Sequence, residues 1–274
     1  VGVLPRSPRR APAMVRAGAG PLSYASVAEV FDRDTAVVAA IFLVLSPLFV
    51  GEASVFLPCV PAFCLNLLFA WAYPRADRTG DVRFAALAGG AIGISFWARP
   101  YTAVLFAAPF IIHALWTLRG LNRRPLVRQT TTALLGLGGV GLALAYNTVM
   151  TGDPLVFPYQ VFAPQDGPGF GHRRILGYER NYTVALALEA NARNLLTYAT
   201  RWAVGGPLGS LLALGGLGVV IRRARRRPHP RVLVLAGIAL TIALGNLYFW
   251  GTLNVLGDLS DTTDGLISFL GPYY

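Results

Sequence analysis

Apolar runs of roughly fifteen to twenty-two residues recur along this chain, separated by arginine-rich or Pro/Gly-broken turns. Runs of that length predict helices able to cross a ~30 Å hydrocarbon layer. They fall at about residues 35–50, 55–73, 84–98, 101–118, 129–150, 207–221 and 232–250. Ser46-Pro47 predicts a kink or an early exit near the far end of the first run. Gly89, Gly90 and Gly93 give the third run a small-residue face on which another helix can pack closely. Pro100 divides the third run from the fourth, since proline opens a helix well and cannot continue one. Pro21–Val30 reads as the end of a helix closed by the polar FDRD, and residues 1–20 read as a disordered or non-native leader. From 151 to 206 the pattern changes to a long polar interval, of a length uncommon without a binding role. Within it, Glu189–Val204 has helical spacing with Arg193 and Arg201 on a mixed surface, which predicts an interfacial or re-entrant helix. The expected fold is therefore all-α: a polytopic transmembrane bundle of about seven spans over residues 21–274, with one long extracytoplasmic loop.

Composition agrees. Hydrophobic residues are 54% and charged ones 14% of 274, and the mean hydropathy is +0.52, more than a soluble domain needs to fill its core. The net charge of +11 comes entirely from arginine. If the spans alternate, loops 74–83, 119–128 and 222–231 share one side, with thirteen arginines against two acids. The opposite side, from Gly51 onward, has six arginines against eight acids. The positive-inside rule makes the first side cytoplasmic, so Arg99 and both long polar loops are expected outside the cell membrane. Arginines placed this way set topology and do not call for nucleic acid. Cys59 and Cys64 share one apolar run without metal-ligand spacing and read as small hydrophobes.

Three stretches carry candidate chemistry. Arg99, beside the first turn of a helix, combines a fixed positive charge with unsatisfied N–H groups, which suits a phosphate; the alternative is an interfacial arginine that marks the end of a span. Asp153, in the Gly-Asp-Pro turn, is expected level with Arg99 and is a candidate general base, a partner for an arginine, or a turn cap. Gly167–Arg174, GPGFGHRR, offers His172, Arg173 and Arg174 as an anion cradle, or is a solvated basic turn. Asp258, Asp261 and Asp264 do not match a calcium loop and read as a solvated acidic segment. His113 reads as a hydrogen-bonded bundle residue. Neither a catalytic elbow nor a P-loop is present, and no metal site is expected.

LSPLFVGEASVFLPCVPAF, AGGAIGISFWARPYTAVLFAAPF, YNTVMTGDPLVFPYQVFAPQDGPGFGHR and FLGPYY together resemble the membrane glycosyltransferases of the C superfamily. The nearest branch is the family-39-like one, with protein O-mannosyltransferases and lipid A aminoarabinose transferases, over roughly residues 22–274. The resemblance implies transfer of a sugar from a polyprenyl-phosphate donor to an acceptor at the outer face, either without metal or with help from a divalent cation. It adds Tyr159, of the PY pair, to Arg99, His172, Arg173 and Arg174 as donor-side binding residues. The general base in such enzymes is an acid in the first outer loop. Here the chain resembles the family only from the second helix, so that acid is expected before residue 1 and the chain is expected to be N-terminally truncated. A non-catalytic membrane carrier or assembly subunit binding an anionic lipid or solute is the alternative.

Overall fold

The computed structural model describes residues 10–54, 58–120, 123–162, 164–165, 167–175, 178–226 and 230–249. Most of the described chain is helical. It forms two compact units, Val1–Val140 with Arg222–Leu235, and Gly141–Ile221 with Ala236–Tyr274.

The first unit contains α1 (Arg10–Val30), α2 (Arg33–Val44), α3 (Pro47–Ser54), α4 (Cys59–Thr79), α5 (Val82–Ala98), α6 (Pro100–Leu118) and the first part of α7 (Arg123–Thr151). Helix α4 lies at its centre, packed on α1 and α5. Its alanines 62, 70, 72 and 76 are buried and let neighbours approach, while Phe69 fills the space between with ring contacts to Tyr73 (5.7 Å) and Phe110 (4.6 Å). Because these contacts continue past Tyr73, the helix runs on to Thr79, six residues beyond the expected span. It stops at Gly80, whose φ of 75° only glycine adopts without strain, and Asp81 caps α5 by accepting from the Arg83 N–H at 2.8 Å. The segment expected to be disordered is helical from Arg10, the point where the described residues begin. Tertiary packing accounts for this, since Ala19 is fully buried and Gly20 lies against Val44.

The small-residue face is used as expected at two of its three glycines. A Cβ at Gly89 would lie 2.5 Å from the Thr132 carbonyl oxygen, and one at Gly93 would lie 3.1 Å from Gly139 Cα, so α5 and α7 meet backbone to backbone. Gly90 has nothing within 4 Å. Polar side chains bridge the interior: Ser95 Oγ donates to Asn66 Oδ1 at 2.7 Å, and Ser26 Oγ donates to the Leu67 carbonyl at 2.9 Å. Tyr73 joins three helices, sharing a hydrogen bond with His113 Nδ1 (3.1 Å) and accepting from Gln129 Nε2 (3.0 Å), so His113 is a hydrogen-bonded bundle residue. At the same end of α4, Glu29 pairs with Arg78 (2.7 Å) and Arg75 (3.5 Å), and Asp77 with Arg128 (2.8 Å).

Among the described residues two helices, α6 and α7, are long and apolar enough to cross a membrane. Helices α2 and α3 together make a third if counted as one span, bent by 58° at the expected Ser46-Pro47 break. Val82–Ala98, Gly206–Gly218 and Val232–Tyr248 are apolar but shorter. Ile111, Ile112 and Leu115 on α6 and Leu134 and Leu137 on α7 are exposed, an arrangement that hydrocarbon tolerates and water does not.

The second unit departs from the all-α expectation. It holds α8 (Pro158–Phe162), then an antiparallel hairpin of β1 (Gly171–Ile175) and β2 (Tyr178–Tyr182) with Gly171 opposite Tyr182. After the hairpin come α9 (Val184–Thr197), a π-helical turn (Tyr198–Trp202), and most of α10 (Gly206–Arg226) and of α11 (Pro230–Tyr248). The hairpin arises because Tyr178 and Tyr182 favour extended backbone and two glycines precede them; Gly169 and Gly171 have φ of 129° and 107°. Tyr182 is the anchor. Fully buried with Ala187 and Ala190, it donates its hydroxyl to the Leu247 carbonyl at 2.9 Å. Tyr182→Phe removes that bond and leaves the carbonyl short of a partner, with an expected cost of about 1–3 kcal/mol. Faster proteolytic nicking of the hairpin at unchanged helix content is the expected readout.

Candidate functional site

In the first unit the site begins at the α5–α6 break. Arg99 closes α5 and opens α6, with φ −149° and ψ 85°, because Pro100 at N1 forbids a continuous helix. Its N–H reaches the Ser95 carbonyl at 2.8 Å and its carbonyl accepts from Ala103 at 2.9 Å. Its side chain makes no cap hydrogen bond to the new helix. Instead the guanidinium turns toward α4, where Nη1 donates to Cys59 Sγ at 3.1 Å. The Cys59 thiol in turn contacts the carboxyl of Glu52, on α3, and Glu52 lies within electrostatic reach of Arg99. Glu52 Oε2 is buried and makes no hydrogen bond among the described residues. A guanidinium, a thiol and a carboxyl with one unused oxygen therefore meet where α3, α4 and the α5–α6 junction converge. This trio can hold a phosphate at the guanidinium and take a proton at the carboxylate.

Only Arg99 was expected here. Glu52 has a signal that sequence reading passed over: it is the single charged residue between Thr35 and Pro74, and an ionisable group inside so long an apolar stretch marks a functional position. Cys59 has no such signal. Its partner is forty residues away and no spacing pattern links them.

The other candidates belong to the second unit. Asp153 behaves as a turn residue: its Oδ1 accepts from the Leu155 N–H at 2.8 Å, and its own N–H donates to Thr151 Oγ1 at 3.3 Å. It is exposed. Tyr159 is half-exposed on α8, stacked against Phe157 at 6.1 Å. His172 is exposed on β1, and Arg174 sits on the same strand opposite Glu179. Arg173 curls back on its own turn, with Nη2 donating to the Pro168 and Phe170 carbonyls at 3.1 and 3.4 Å. That turn docks on the end of α11, where Gly169 N–H donates to the Tyr248 carbonyl at 2.7 Å.

No family model, curated protein or solved structure matches the chain. Among the described residues, no three His, Cys, Asp or Glu side chains are grouped so that they could hold a metal ion. Asp166, Asp258, Asp261, Asp264 and the terminal FLGPYY lie outside the described residues.

Proposed function

We propose that the chain is a membrane glycosyltransferase, or the donor-binding part of one, that moves a sugar from a polyprenyl phosphate to an acceptor at the extracytoplasmic face. The observation that carries this reading is the Arg99–Cys59–Glu52 trio at the α5–α6 break. The Arg99 charge suits a lipid phosphate at the hydrocarbon boundary, where the arginine asymmetry of the loops favours the outer side. In the transfer, the acceptor hydroxyl oxygen forms a bond to the anomeric carbon while the bond from that carbon to the phosphate oxygen breaks. The electron pair leaves with the polyprenyl phosphate, whose developing charge Arg99 offsets, and the acceptor's proton passes to the Glu52 carboxylate. Helix α9 lies in the membrane interface in this account. Val184, Leu188 and Leu195 form an exposed apolar stripe opposite the packed Ala187 and Ala190, and Glu189 pairs with Arg193 at its edge.

The test is transfer by the full reading frame in nanodiscs with radiolabelled polyprenyl-phosphate sugars. Turnover or saturable donor binding is expected, and neither with any such donor contradicts the reading. One observation favours a carrier instead: the 58° break between α2 and α3, with Glu52 shortly beyond it, resembles the discontinuous helices that line transport sites. Uptake of an anionic solute by proteoliposomes, with no transfer, identifies that function.

A further inference from the structure

The turn that follows α7 keeps its polar groups to itself. From Gly152 to Pro158 every backbone N–H finds an acceptor inside the segment. Gly152 donates to the Thr148 carbonyl (3.0 Å), Asp153 to Thr151 Oγ1 (3.3 Å) and Leu155 to Asp153 Oδ1 (2.8 Å). Val156 donates to the Asp153 carbonyl (3.3 Å) and Phe157 to Gln160 Oε1 (2.8 Å). The Pro154 carbonyl accepts from the buried Asn147 Nδ2 and the Val156 carbonyl from Thr151 Oγ1, both at 3.0 Å, which ties the turn to the end of α7. Gly152 closes the corner with a φ of 82°. A turn in water has no need of this, because water serves its backbone. A turn against lipid has no other source of partners.

The same turn presents apolar side chains outward. Leu155 is 73% exposed, and Tyr159 and Val161 are exposed with it, as are Tyr146, Val149 and Met150 on the last turns of α7. Single exposed hydrophobics are ordinary on a wet surface, but six between Tyr146 and Val161 are not. What covers them follows from α7, which is long and apolar enough to cross a membrane. Its apolar run, 129–150, has a length of about 33 Å, one hydrocarbon thickness. The hydrocarbon boundary therefore falls near Thr151. Leu155, held at the end of α7 by the bonds to its two neighbours, continues the lipid-facing surface past that boundary.

We propose that residues 152–161 lie in the interfacial layer of the bilayer, at the end of α7 remote from Arg123, with Leu155, Tyr159 and Val161 set among the upper acyl carbons. The occupant is lipid whatever its headgroup charge, because no Arg or Lys stands between Arg128 and Arg173 and the acid of the turn, Asp153, spends an oxygen on the Leu155 N–H. Tyrosine suits this depth, since its ring is apolar and its hydroxyl reaches water. Tyr159, which the family resemblance sets on the donor side, is an interfacial ring in this account. The proposal does not rest on the transfer reading; it needs only that α7 spans.

Spin-label EPR on the full chain in phosphatidylcholine nanodiscs tests it, with labels at Leu155→Cys and Val161→Cys in a Cys59→Ser, Cys64→Ala background and Leu142→Cys as the hydrocarbon reference. Molecular oxygen, which partitions into lipid, is expected to meet both labels several-fold more often than a water-soluble nickel chelate does, at a depth shallower than Leu142→Cys. The same depth is expected with phosphatidylglycerol added. Nickel access above that of oxygen puts the turn in water, and exclusion of both puts it under protein, a partner or a second copy; either result overturns the proposal. Insertion that appears only with phosphatidylglycerol overturns it as well. Tyr159→Trp reads the same layer without a label: the emission gained over the wild type should be quenched more by lipid brominated near the headgroup end of the acyl chain than by lipid brominated near its terminus. Quenching by neither contradicts the proposal.

Discussion

Gly139→Leu is expected to break the first unit apart. A Cβ at Gly139 would lie 2.5 Å from Gly93 Cα and 2.7 Å from Gly93 C, both backbone atoms that no rotamer change can move. Helices α5 and α7 would have to separate, giving up the Gly89–Thr132 approach and the Thr132 Oγ1 hydrogen bond to the Ala85 carbonyl as well. Overpacking a tight core costs about 1–3 kcal/mol for a single added group, and leucine adds several. With net stability on the order of 5–15 kcal/mol, much of the margin goes. Thermal unfolding in detergent should show a large fall in Tm or no folded protein. Gly90→Ala and Gly138→Ala are the controls: a Cβ at either meets nothing within 4 Å, so alanine there should be neutral or stabilise by about 0.5–1 kcal/mol. If Gly139→Leu behaves like these two, the helices do not meet at glycine.

The second large effect concerns the trio. If the chain transfers sugar as proposed, Arg99→Ala removes the charge proposed to face the departing phosphate, and a loss of about 10²–10³-fold in transfer is expected, with weaker donor binding. Glu52→Gln keeps shape and removes the proposed proton acceptor, and on the same reading it should cost about 10²–10⁴-fold in kcat with donor affinity close to wild type. The split matters, because a purely structural role for either residue would lower both quantities along with Tm. Neither replacement should unfold the bundle, since α5 and α6 are held by packing on α4 as well as by Arg99.

Much of the bundle was legible in the sequence because apolar length, proline and glycine act locally. The α5–α6 division follows from Pro100, the kink after α2 from Ser46-Pro47, and the α5 contact face from Gly89 and Gly93. What sequence reading missed depends on partners distant in the chain. Helix α4 continues through Arg75, Asp77 and Arg78 because Glu29 and Arg128 meet those charges, forty-nine and fifty-one residues away for Arg78 and Asp77. The hairpin at Gly171–Tyr182 was read as loop because Tyr182 earns its place only by reaching Leu247. For the same reason Arg99 was found alone: Glu52 stands out only as an isolated charge, and Cys59 not at all, until α3 and α4 come together. Arg173, read as part of an anion cradle or of a solvated basic turn, also ties its own turn, a bond between residues three and five apart that composition does not reveal.

The central claim is that a lipid phosphate sits against Arg99 at the outer face, and Cys59 allows a direct measurement. Of the two cysteines, Cys64 is buried and Cys59 is partly accessible beside the guanidinium. A small membrane-impermeant methanethiosulfonate reagent, applied from the outer side of oriented vesicles, should label Cys59, and Cys59→Ser should abolish the signal. Polyprenyl phosphate should slow labelling at least tenfold, whereas the corresponding polyprenol should not. Labelling only from the cytoplasmic side, or labelling equally fast with and without polyprenyl phosphate, contradicts the account.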